Sequence, residues 1–310
     1  MRLSELISVL IFLGIIILVY SVEILLFLRF IINKTKHKKG KPELSGKKTL
    51  FIHFVAITGI LCFLYGYFIE PYWIEVKNVD ILTNKFKNTT LKIVQISDLH
   101  TYINTKDKND LATIINPLKP DIIVFTGDTL SKIQALPLFK NTMKRLKADI
   151  GKYAVLGNYD IWNWHYLDLF GNTGFKLLNE ENIRLKKRGE VFYISGLTCA
   201  YPDKYYDVLK NIPKNVYSVF LYHYPDLIES LKSLNVDLYL AGHTHGGQVA
   251  LPFYGALVTL SEYGKKYESG QYKVGKTILY VNRGIGTEAG APVRFWARPE
   301  ITVFNIRPKK

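Results

Sequence analysis

The stretch Leu238 to Val249, LYLAGHTHGGQV, places two histidines one residue apart directly after an apolar run. His243 and His245 have glycines on both sides. Glycine costs conformational entropy on folding, and an imidazole loses hydration when it is buried. The presence of both residue types at the end of a predicted strand therefore indicates a tight turn whose histidines have a chemical role.

The same arrangement recurs elsewhere in the chain, where candidate strands end at a side chain that can bind a metal. The five cases are LKIVQIS (91–97) before Asp98 and His100, DIIVFTG (121–127) before Asp128, KYAVLG (152–157) before Asn158, Tyr159 and Asp160, YSVFLY (217–222) before His223, and DLYLAG (237–242) before His243 and His245. Strand ends converge on one crevice in α/β sheets, so we expect these side chains to meet. Imidazole, carboxylate and amide ligands without a thiolate suit Mn, Fe, Zn or similar ions, and argue against soft copper sites and iron–sulfur clusters.

From Pro71 onward, strand-like and helix-like segments alternate, which predicts α/β layers with helices outside a central sheet core. Further candidate strands are 73–82, 191–197 and 277–284, and candidate helices are 107–118, 131–147 and 225–234. The two cysteines, Cys62 and Cys199, lie in an apolar run and a probable strand, so we expect no disulfide;.

The N-terminal region predicts a membrane hairpin. Leu3–Ile32 is almost wholly apolar, interrupted by the charged residues Glu5, Glu23 and Arg29, and Leu50–Ile69 has the length that spans a bilayer;. The alternative, two buried helices of a soluble bundle, leaves too few polar positions for a solvent face. We therefore divide the chain into a transmembrane hairpin (1–70, with a basic loop at 33–49) and a soluble domain (71–310).

Charge predicts how the hairpin is oriented. The basic loop holds seven lysines and one acid, and short positive loops stay in the cytoplasm;. The protein is therefore expected to be a multi-pass protein of the cell membrane, with the soluble domain on the extracytoplasmic side. The net charge of +15 favours an acidic partner, either an anionic lipid bilayer or a phosphorylated substrate;. Nucleic acid would also suit this charge, but the sequence contains no recognisable nucleic-acid module, so we expect no sequence-specific binding to DNA or RNA. The oligomeric state is left open.

The ordered strand-end motifs resemble those of the calcineurin-like metallophosphoesterases. That family's pattern is D-x-H, G-D, G-N-H-[DE], a lone histidine and G-H-x-H, and it reads SDLH, TGD, GNYD, YHYPD and AGHTHGGQ here. The resemblance covers roughly Leu91 to Ile306. It includes NRGIG and PVRFWARPEIT, which are similar to the closing strands of bacterial, often membrane-attached members. It implies the family's fold, a sandwich of two mixed sheets flanked by helices, which the membrane hairpin precedes here.

The resemblance also implies two divalent metal ions with a shared ligand. One ion would be held by Asp98, His100, Asp128 and His245, and the other by Asp128, Asn158, His223 and His243. A hydroxide shared by the ions would attack phosphorus in line with the leaving group. Taken singly these residues have ordinary explanations, such as a helix cap for Asp98 or a turn for Asn158, and it is the ordered set that favours metal binding.

Two residues beside Asn158 have expected roles of their own. Asp160 is expected to orient a ligand. Tyr159 replaces the family's histidine that protonates the leaving oxygen, and the sequence leaves open whether Tyr159 or His165 is the proton donor.

Other residues near the motifs have two readings each. The aromatic residues of WNWHY (Trp162–Tyr166) and Tyr205-Tyr206 would contact an acyl chain or the membrane interface, or else pack in the core. Arg283, Arg294 and Arg298 would contact a substrate phosphate, or else form surface ion pairs.

The expected function is that of a membrane-anchored hydrolase, a metal-dependent phosphoesterase that cleaves a phosphodiester or diphosphate bond in a lipid-linked substrate. Relatives that hydrolyse the diphosphate of UDP-diacylglucosamine are the specific candidate. UDP-linked lipids are made in the cytoplasm, so an extracytoplasmic domain favours an exported lipid diphosphate instead. Two alternatives stay open: a membrane receptor or scaffold that binds phosphate without turnover, and a nuclease of the same fold.

Overall fold

The computed structural model describes residues 1–35, 46–102, 110–288 and 292–309. The chain opens with two long helices, α1 (Leu3–Thr35) and α2 (Gly46–Phe68). Both are long and apolar enough to cross a membrane, and their apolar side chains are largely exposed rather than packed in the described chain. This exposure does not fit two buried helices of a soluble bundle. Most of the basic loop, including His37, lies outside the described residues.

The two helices run antiparallel. The Tyr20 hydroxyl donates to the carbonyl of Ala56 (3.0 Å), and Nδ1 of His53 lies 2.6 Å from a carboxylate oxygen of Glu23. The beginning of α1 therefore lies beside the end of α2, where a 3₁₀ turn (Glu70–Tyr72) leads into the first strand.

Two six-stranded mixed sheets form the centre of the domain that follows the two helices. The first has the order β1 (Glu75–Thr83), β14 (Glu300–Pro308), β2 (Leu91–Ile96), β3 (Ile122–Thr126), β4 (Gly151–Val155) and β5 (Phe175–Leu177). All neighbours in it are parallel except β14 and β2. The second has the order β12 (Gly270–Val274), β13 (Thr277–Val281), β9 (Leu238–Ala241), β8 (Tyr217–Leu221), β7 (Glu190–Gly196) and β6 (Glu181–Lys187). Its four central strands are parallel and its two outer pairs antiparallel. A small hairpin, β10 (Ala250–Leu251) and β11 (Gly255–Ala256), lies apart from both.

The sheets pack face to face, and helices cover their outer faces. Alternate residues of β2 point to opposite sides, so Ile93 joins the core between the sheets while Val94 joins the core under the helices. Strands buried on both faces read as continuous apolar runs, which is why the sequence revealed them. The helices are α3 (Leu111–Ile115), α4 (Leu136–Arg145), α5 (Asn158–Trp164) and α6 (Tyr205–Leu209). The predicted fold class, a two-sheet α/β sandwich flanked by helices, is confirmed.

The helical predictions were too long. Within 107–118 the described part forms α3 and a 3₁₀ turn (Asn116–Leu118), and within 131–147 a 3₁₀ turn precedes α4. The segment 225–234 is not an α-helix but a 3₁₀ helix (Asp226–Ser230) followed by further tight turns. So short a segment gains little from α-helical hydrogen bonds, and the tight turns still bury Ile228 and Leu231;.

Several strands were missed or misplaced. The edge strands β5, β6 and β12 were not predicted, and β6 is rich in charged residues with no buried position. NRGIG and most of PVRFWARPEIT, read as closing strands, are loops, and β14 begins only at Glu300. In the first loop Gly284 has φ +69° and lies against Asp98, so the backbone turns there instead of extending.

Candidate metal centre

The predicted ligands meet in one cavity at the carboxyl ends of β2, β3, β4, β8 and β9. The cavity, of about 240 Å³, is lined by His100, Asp128, Asn158, Trp162, Tyr224, His243, His245, Leu260 and Glu288. Asp98 and His223 lie behind this lining and are fully buried. A larger depression of about 520 Å³ elsewhere is lined by residues between Asp168 and Leu177. None of its described lining residues is a histidine, so it does not share this chemistry.

Each of two buried carboxylates lies between two imidazoles. Oδ1 of Asp98 is 3.5 Å from Nε2 of His245 and 3.9 Å from Nε2 of His223. Oδ2 of Asp128 is 3.3 Å from Nε2 of His223 and 3.6 Å from Nε2 of His100. Asp98 and Asp128 each lie between one histidine of each expected ligand set, so both carboxylates occupy a position that a bridging ligand requires.

Two groups of ligand atoms are compact enough to hold a cation each. The ligand atoms of Asp98, His100 and His245 lie within 4.8 Å of one another, as do those of Asp98, Asp128 and His223. Asp98 thus contributes to both groups. The ring of His243 lies 5.1 Å from that of His223, on the side of the second group.

Several of these buried atoms have no hydrogen-bond partner in the described chain. They are both ring nitrogens of His100, Nε2 of His223 and Oδ1 of Asn158. Buried polar atoms are normally satisfied, because each one left unpaired costs about 1–3 kcal/mol. The imidazoles of His100 and His223 and the amide of Asn158 are side chains that can each offer a lone pair toward one cavity, so the residues present fit divalent cations.

Backbone strain is concentrated at the same residues. Asp98, His100, Asp128, His243 and His245 all have positive φ, between 41° and 71°. A residue other than glycine in this region costs about 1–3 kcal/mol, and such strain is typical of functional sites. The strand ends therefore turn sharply to direct these side chains into one place.

Glycines allow the turns to approach each other. A Cβ on Gly242 would lie 2.3 Å from a carboxylate oxygen of Asp98, and a Cβ on Gly157 would lie 2.1 Å from one of Asp128. No larger residue fits at either position without displacing a ligand. The glycine before His243, noted from the sequence, is required by this close approach to Asp98.

Asp160 holds the turn that carries Asp128 and does not line the cavity. Its carboxylate accepts hydrogen bonds from the backbone N–H groups of Asp128 (2.9 Å), Thr129 (2.8 Å) and Gly157 (3.0 Å). The Thr129 hydroxyl donates a fourth, at 2.6 Å. The side chain of Asp128 is also held in place, because its Oδ1 accepts a hydrogen bond from the backbone N–H of Tyr159 at 2.9 Å.

Burial and charge set the protonation of the site. Burial lowers the pKa of His100 and His245, and burial together with the charge of His223 lowers the pKa of His243 to about 3. These imidazoles are therefore neutral at pH 7, which is the form that binds metals. His223 differs: burial acts to lower its pKa, but the charges of Asp128 and Asp98 and the hydrogen bonds to Asp128 and Thr126 together raise the pKa to about 9.

The pKa values of the two buried carboxylates, Asp98 and Asp128, shift in opposite directions. Burial raises the pKa of Asp98 to about 7. Burial also acts to raise the pKa of Asp128, but the charge and hydrogen bond of His223 and the charges of His100 and His243 together lower that pKa below its ordinary value. Asp128 is therefore the more acidic of the two carboxylates.

The structure separates the two candidate proton donors. The Tyr159 ring lies edge-on to that of His100, with centroids 5.2 Å apart, and burial raises the pKa of its hydroxyl. His165 follows the end of α5, is exposed, and has Nδ1 3.2 Å from the carbonyl of Ile161. His165 is not among the described residues that line the cavity.

The aromatic residues after Asn158 divide between the two expected roles. Trp162 lines the cavity and is 69% exposed, whereas Trp164 packs on the core and donates through Nε1 to the carbonyl of Leu130 (2.8 Å). Tyr205 is packed against the core of the second sheet, and Tyr206 is exposed.

Two of the three arginines, Arg283 and Arg298, have partners away from the cavity, whereas Arg294 also contacts a lining histidine. Arg283 pairs with Glu75 and with Glu300 (2.6 Å), and Arg298 lies over the ring of Trp73 at 4.0 Å. Arg294 is fully buried rather than on the surface. It donates to backbone carbonyls, including that of Ala297 (2.8 Å), and its Nη2 lies 3.4 Å from Nδ1 of His245.

Three lining residues were not anticipated from the sequence. Tyr224 follows His223 directly, and this position next to a predicted ligand is the sequence signal that could have identified it. Leu260 and Glu288 come from loops without any periodic pattern, and only the folded chain brings them to the cavity.

Comparison with known proteins agrees with this geometry. The family model of the calcineurin-like phosphoesterases matches residues 91–247. The chain is 36% identical to the metallophosphoesterase YkuE of Bacillus subtilis, over 78% of this chain and 90% of that protein. It is 30% identical to a metallophosphoesterase of Aquifex aeolicus, over 78% and 95%. It is 26% identical to the UDP-2,3-diacylglucosamine pyrophosphatase LpxG of Chlamydia muridarum, over 83% and 96%. The chain therefore belongs to the calcineurin-like phosphoesterase family and is a metal-dependent hydrolase.

Proposed function

We propose that this protein is a membrane-anchored phosphohydrolase with two metal ions that cleaves a phosphodiester or diphosphate bond in a lipid-linked substrate. The observation that carries the proposal is the set of buried, unpaired ligand atoms around one cavity. A receptor or scaffold that only binds phosphate has no need for these strained, desolvated ligands.

The chain's residues have distinct tasks in this mechanism. Two bound cations would supply the nucleophile by acidifying a water molecule, and would neutralise charge on the phosphate. We assign Asp98, His100, Asp128 and His245 to one cation and Asp128, Asn158, His223 and His243 to the other. Asp128 would keep the two ions together through its shared charge, and Asp160 fixes the backbone of Asp128.

The leaving group depends on Tyr159. A phenol with an ordinary pKa near 10 is a poor acid at neutral pH, and burial makes this one poorer;. An alkoxide needs a proton to leave, whereas a phosphate monoester, with a second pKa of about 6, does not. Tyr159 therefore favours diphosphate or aryl substrates over alkyl diesters.

Cavity size and surroundings support a lipid headgroup as the substrate. A cavity of about 240 Å³ is smaller than the pockets of roughly 300–1,000 Å³ that enclose drug-sized ligands, so a phosphate group enters and an acyl chain stays outside;. The apolar side chains of Trp162 and Leu260 at the mouth are exposed. The similarity to LpxG, whose name specifies a lipid-linked diphosphate, points to the same substrate class.

The arrangement of the hairpin supports an extracytoplasmic domain. The end of α2 is fixed to the domain, because the carboxylate of Glu70 accepts from the backbone N–H of Trp296 (3.0 Å) and Ala297 (2.6 Å). The described ends of the helices that flank the basic loop lie at the opposite end of the hairpin. A cytoplasmic lysine-rich loop then places the catalytic domain outside the cytoplasm. An exported lipid diphosphate fits this location better than a UDP-linked lipid.

Turnover by the purified full-length protein in detergent with Mn²⁺ tests the proposal. Hydrolysis would be followed through the product of each reaction: the lipid monophosphate from a lipid diphosphate, p-nitrophenol from bis-p-nitrophenyl phosphate, and shortened fragments from single-stranded DNA. The Asp128→Asn variant is the matched control. We expect the lipid diphosphate to be preferred and the variant to be inactive. Phosphate binding without turnover would support the receptor alternative, and cleavage of DNA without lipid preference would support the nuclease.

A further inference from the structure

The first turn of α1 reaches the loop beside the metal centre. Glu5 is only 4% exposed, although it lies in an otherwise apolar helix. Its Oε1 accepts hydrogen bonds from the backbone N–H (2.8 Å) and the hydroxyl (2.7 Å) of Thr259. Its Oε2 accepts from the backbone N–H of Arg2 at 3.0 Å. One carboxylate thus joins the start of the membrane helix to a buried residue of the soluble domain.

The residue after Thr259 contacts a predicted metal ligand. The carbonyl of Leu260 lies 3.3 Å from Nε2 of His243, and Leu260 itself lines the cavity. Leu260 has φ +55°, a costly conformation for a bulky residue, so its neighbours must hold it;. Glu5 holds Thr259 on one side, and Asp226 accepts from the hydroxyl of Ser261 (2.5 Å) on the other.

This carbonyl decides which nitrogen of His243 is available. A carbonyl only accepts hydrogen bonds, so Nε2 carries the proton and Nδ1 keeps its lone pair. The group that fixes the second nitrogen of a metal-binding histidine sets its tautomer and ring orientation. The backbone N–H of His243 is fixed as well, because it donates to the carboxylate of Asp98 at 3.1 Å.

We propose that Glu5 is a positioning residue for the metal centre, acting through Thr259 and the carbonyl of Leu260 to present Nδ1 of His243 to a cation. A carboxylate is expensive in a membrane-spanning helix, and membrane anchoring alone does not require one. The first helix is accordingly part of the catalytic structure as well as an anchor. This inference rests on the proposed dimetal centre.

Metal binding to the full-length protein in detergent tests the proposal. Mn²⁺ would be titrated by calorimetry, and the magnetic coupling between two Mn²⁺ ions would be followed by electron paramagnetic resonance. For wild type we expect two ions. Glu5→Ala should weaken one of them by about 10–100-fold, the usual effect of losing a group that orients a ligand. Glu5→Gln should weaken it less, because its amide oxygen still accepts from Thr259.

Two further variants make the result specific. Thr259→Val removes one of the two Thr259 donors to Glu5 and should weaken binding of the same ion. This variant tests the proposal even if Glu5→Ala does not fold. Glu23→Gln is the matched control, because Glu23 lies on the same helix but contacts His53 instead of the domain. It should bind both ions as wild type does.

The outcomes separate this inference from the proposal on which it rests. Two ions bound with wild-type affinity by Glu5→Ala would overturn the role of Glu5 and leave the dimetal centre intact. Equal weakening of both ions would indicate general damage to the domain and would also overturn it. A wild-type protein that binds no cation would contradict the dimetal centre itself.

Discussion

The carboxylate of Asp160 accepts a hydrogen bond from the backbone N–H of Asp128 at 2.9 Å, and so fixes the central ligand through its main chain. An asparagine at position 160 would keep one acceptor oxygen, but its NH₂ group would face backbone N–H groups that are themselves donors. We expect Asp160→Asn to lower metal affinity by about 10–100-fold and unfolding free energy by about 1–3 kcal/mol. Metal titration and denaturant unfolding measure the two effects. Unchanged metal affinity would show that Asp128 does not depend on this support.

Asp128→Asn should lose more metal and more activity than Asn158→Ala. The carboxylate of Asp128 lies between His100 and His223 and is proposed to supply charge to both ions, whereas the amide of Asn158 is proposed to serve one;. Elemental analysis of the purified variants counts the ions, and turnover of bis-p-nitrophenyl phosphate measures activity. Two retained ions in Asp128→Asn would contradict the bridging role.

Tyr159→His should change substrate preference. A histidine there can protonate an alkoxide, so the rate on alkyl phosphodiesters should rise far more than the rate on p-nitrophenyl or diphosphate substrates. Parallel kinetics on the three substrates measure the ratio. His165→Ala is the control, because the exposed His165 should have no effect. Equal changes on all substrates would show that residue 159 does not select the leaving group.

Trp162→Ala should discriminate between lipid and water-soluble substrates. The indole is exposed at the mouth of the cavity, where it can contact an acyl chain but not the phosphate. We expect KM for a long-chain substrate to rise about tenfold, which corresponds to roughly 1.4 kcal/mol, with little change for p-nitrophenyl phosphate esters. Trp296→Ala, an exposed tryptophan outside the described cavity lining, is the matched control. A kcat loss on both substrate classes would place Trp162 in the chemistry instead.

A reporter fused to the C-terminus should locate the catalytic domain. The lysine-rich loop is expected to stay in the cytoplasm, so an alkaline phosphatase fusion should be active and a cytoplasmic-type fluorescent protein dark. Replacing the loop lysines with glutamine should weaken this preference. The reverse reporter pattern would place the domain in the cytoplasm and revive a UDP-linked lipid as substrate.

The sequence was informative where one local pattern determines the structure. Strands such as β3, buried on both faces, appear as apolar runs, and the predicted metal ligands follow them directly. The charged edge strand β6 lacks that signal, because its position depends on pairing with β7 and not on burial.

Other features depend on contacts between distant parts of the chain. Leu260 and Glu288 reach the cavity on loops whose paths are set by tertiary packing. Glu5 appears in the sequence as an interruption of an apolar helix, and its partner Thr259 lies 254 residues away. Periodicity gives no information on such a pair, so the role of the first helix became visible only in the folded chain.

The pairing of β1 with β14, from Glu75 opposite Glu300 to Thr83 opposite Pro308, constrains how the protein is made. β14 lies between β1 and β2, so until residues 300–308 have been synthesised β1 has no partner strand in this sheet and β2 has only β3. Throughout synthesis of residues 84–299 the nascent chain carries unpaired strand edges, which are prone to aggregate. The proposed membrane hairpin, which precedes β1, would keep that strand at the membrane during this interval, and a chain that terminates before Glu300 leaves the first sheet open between β1 and β2.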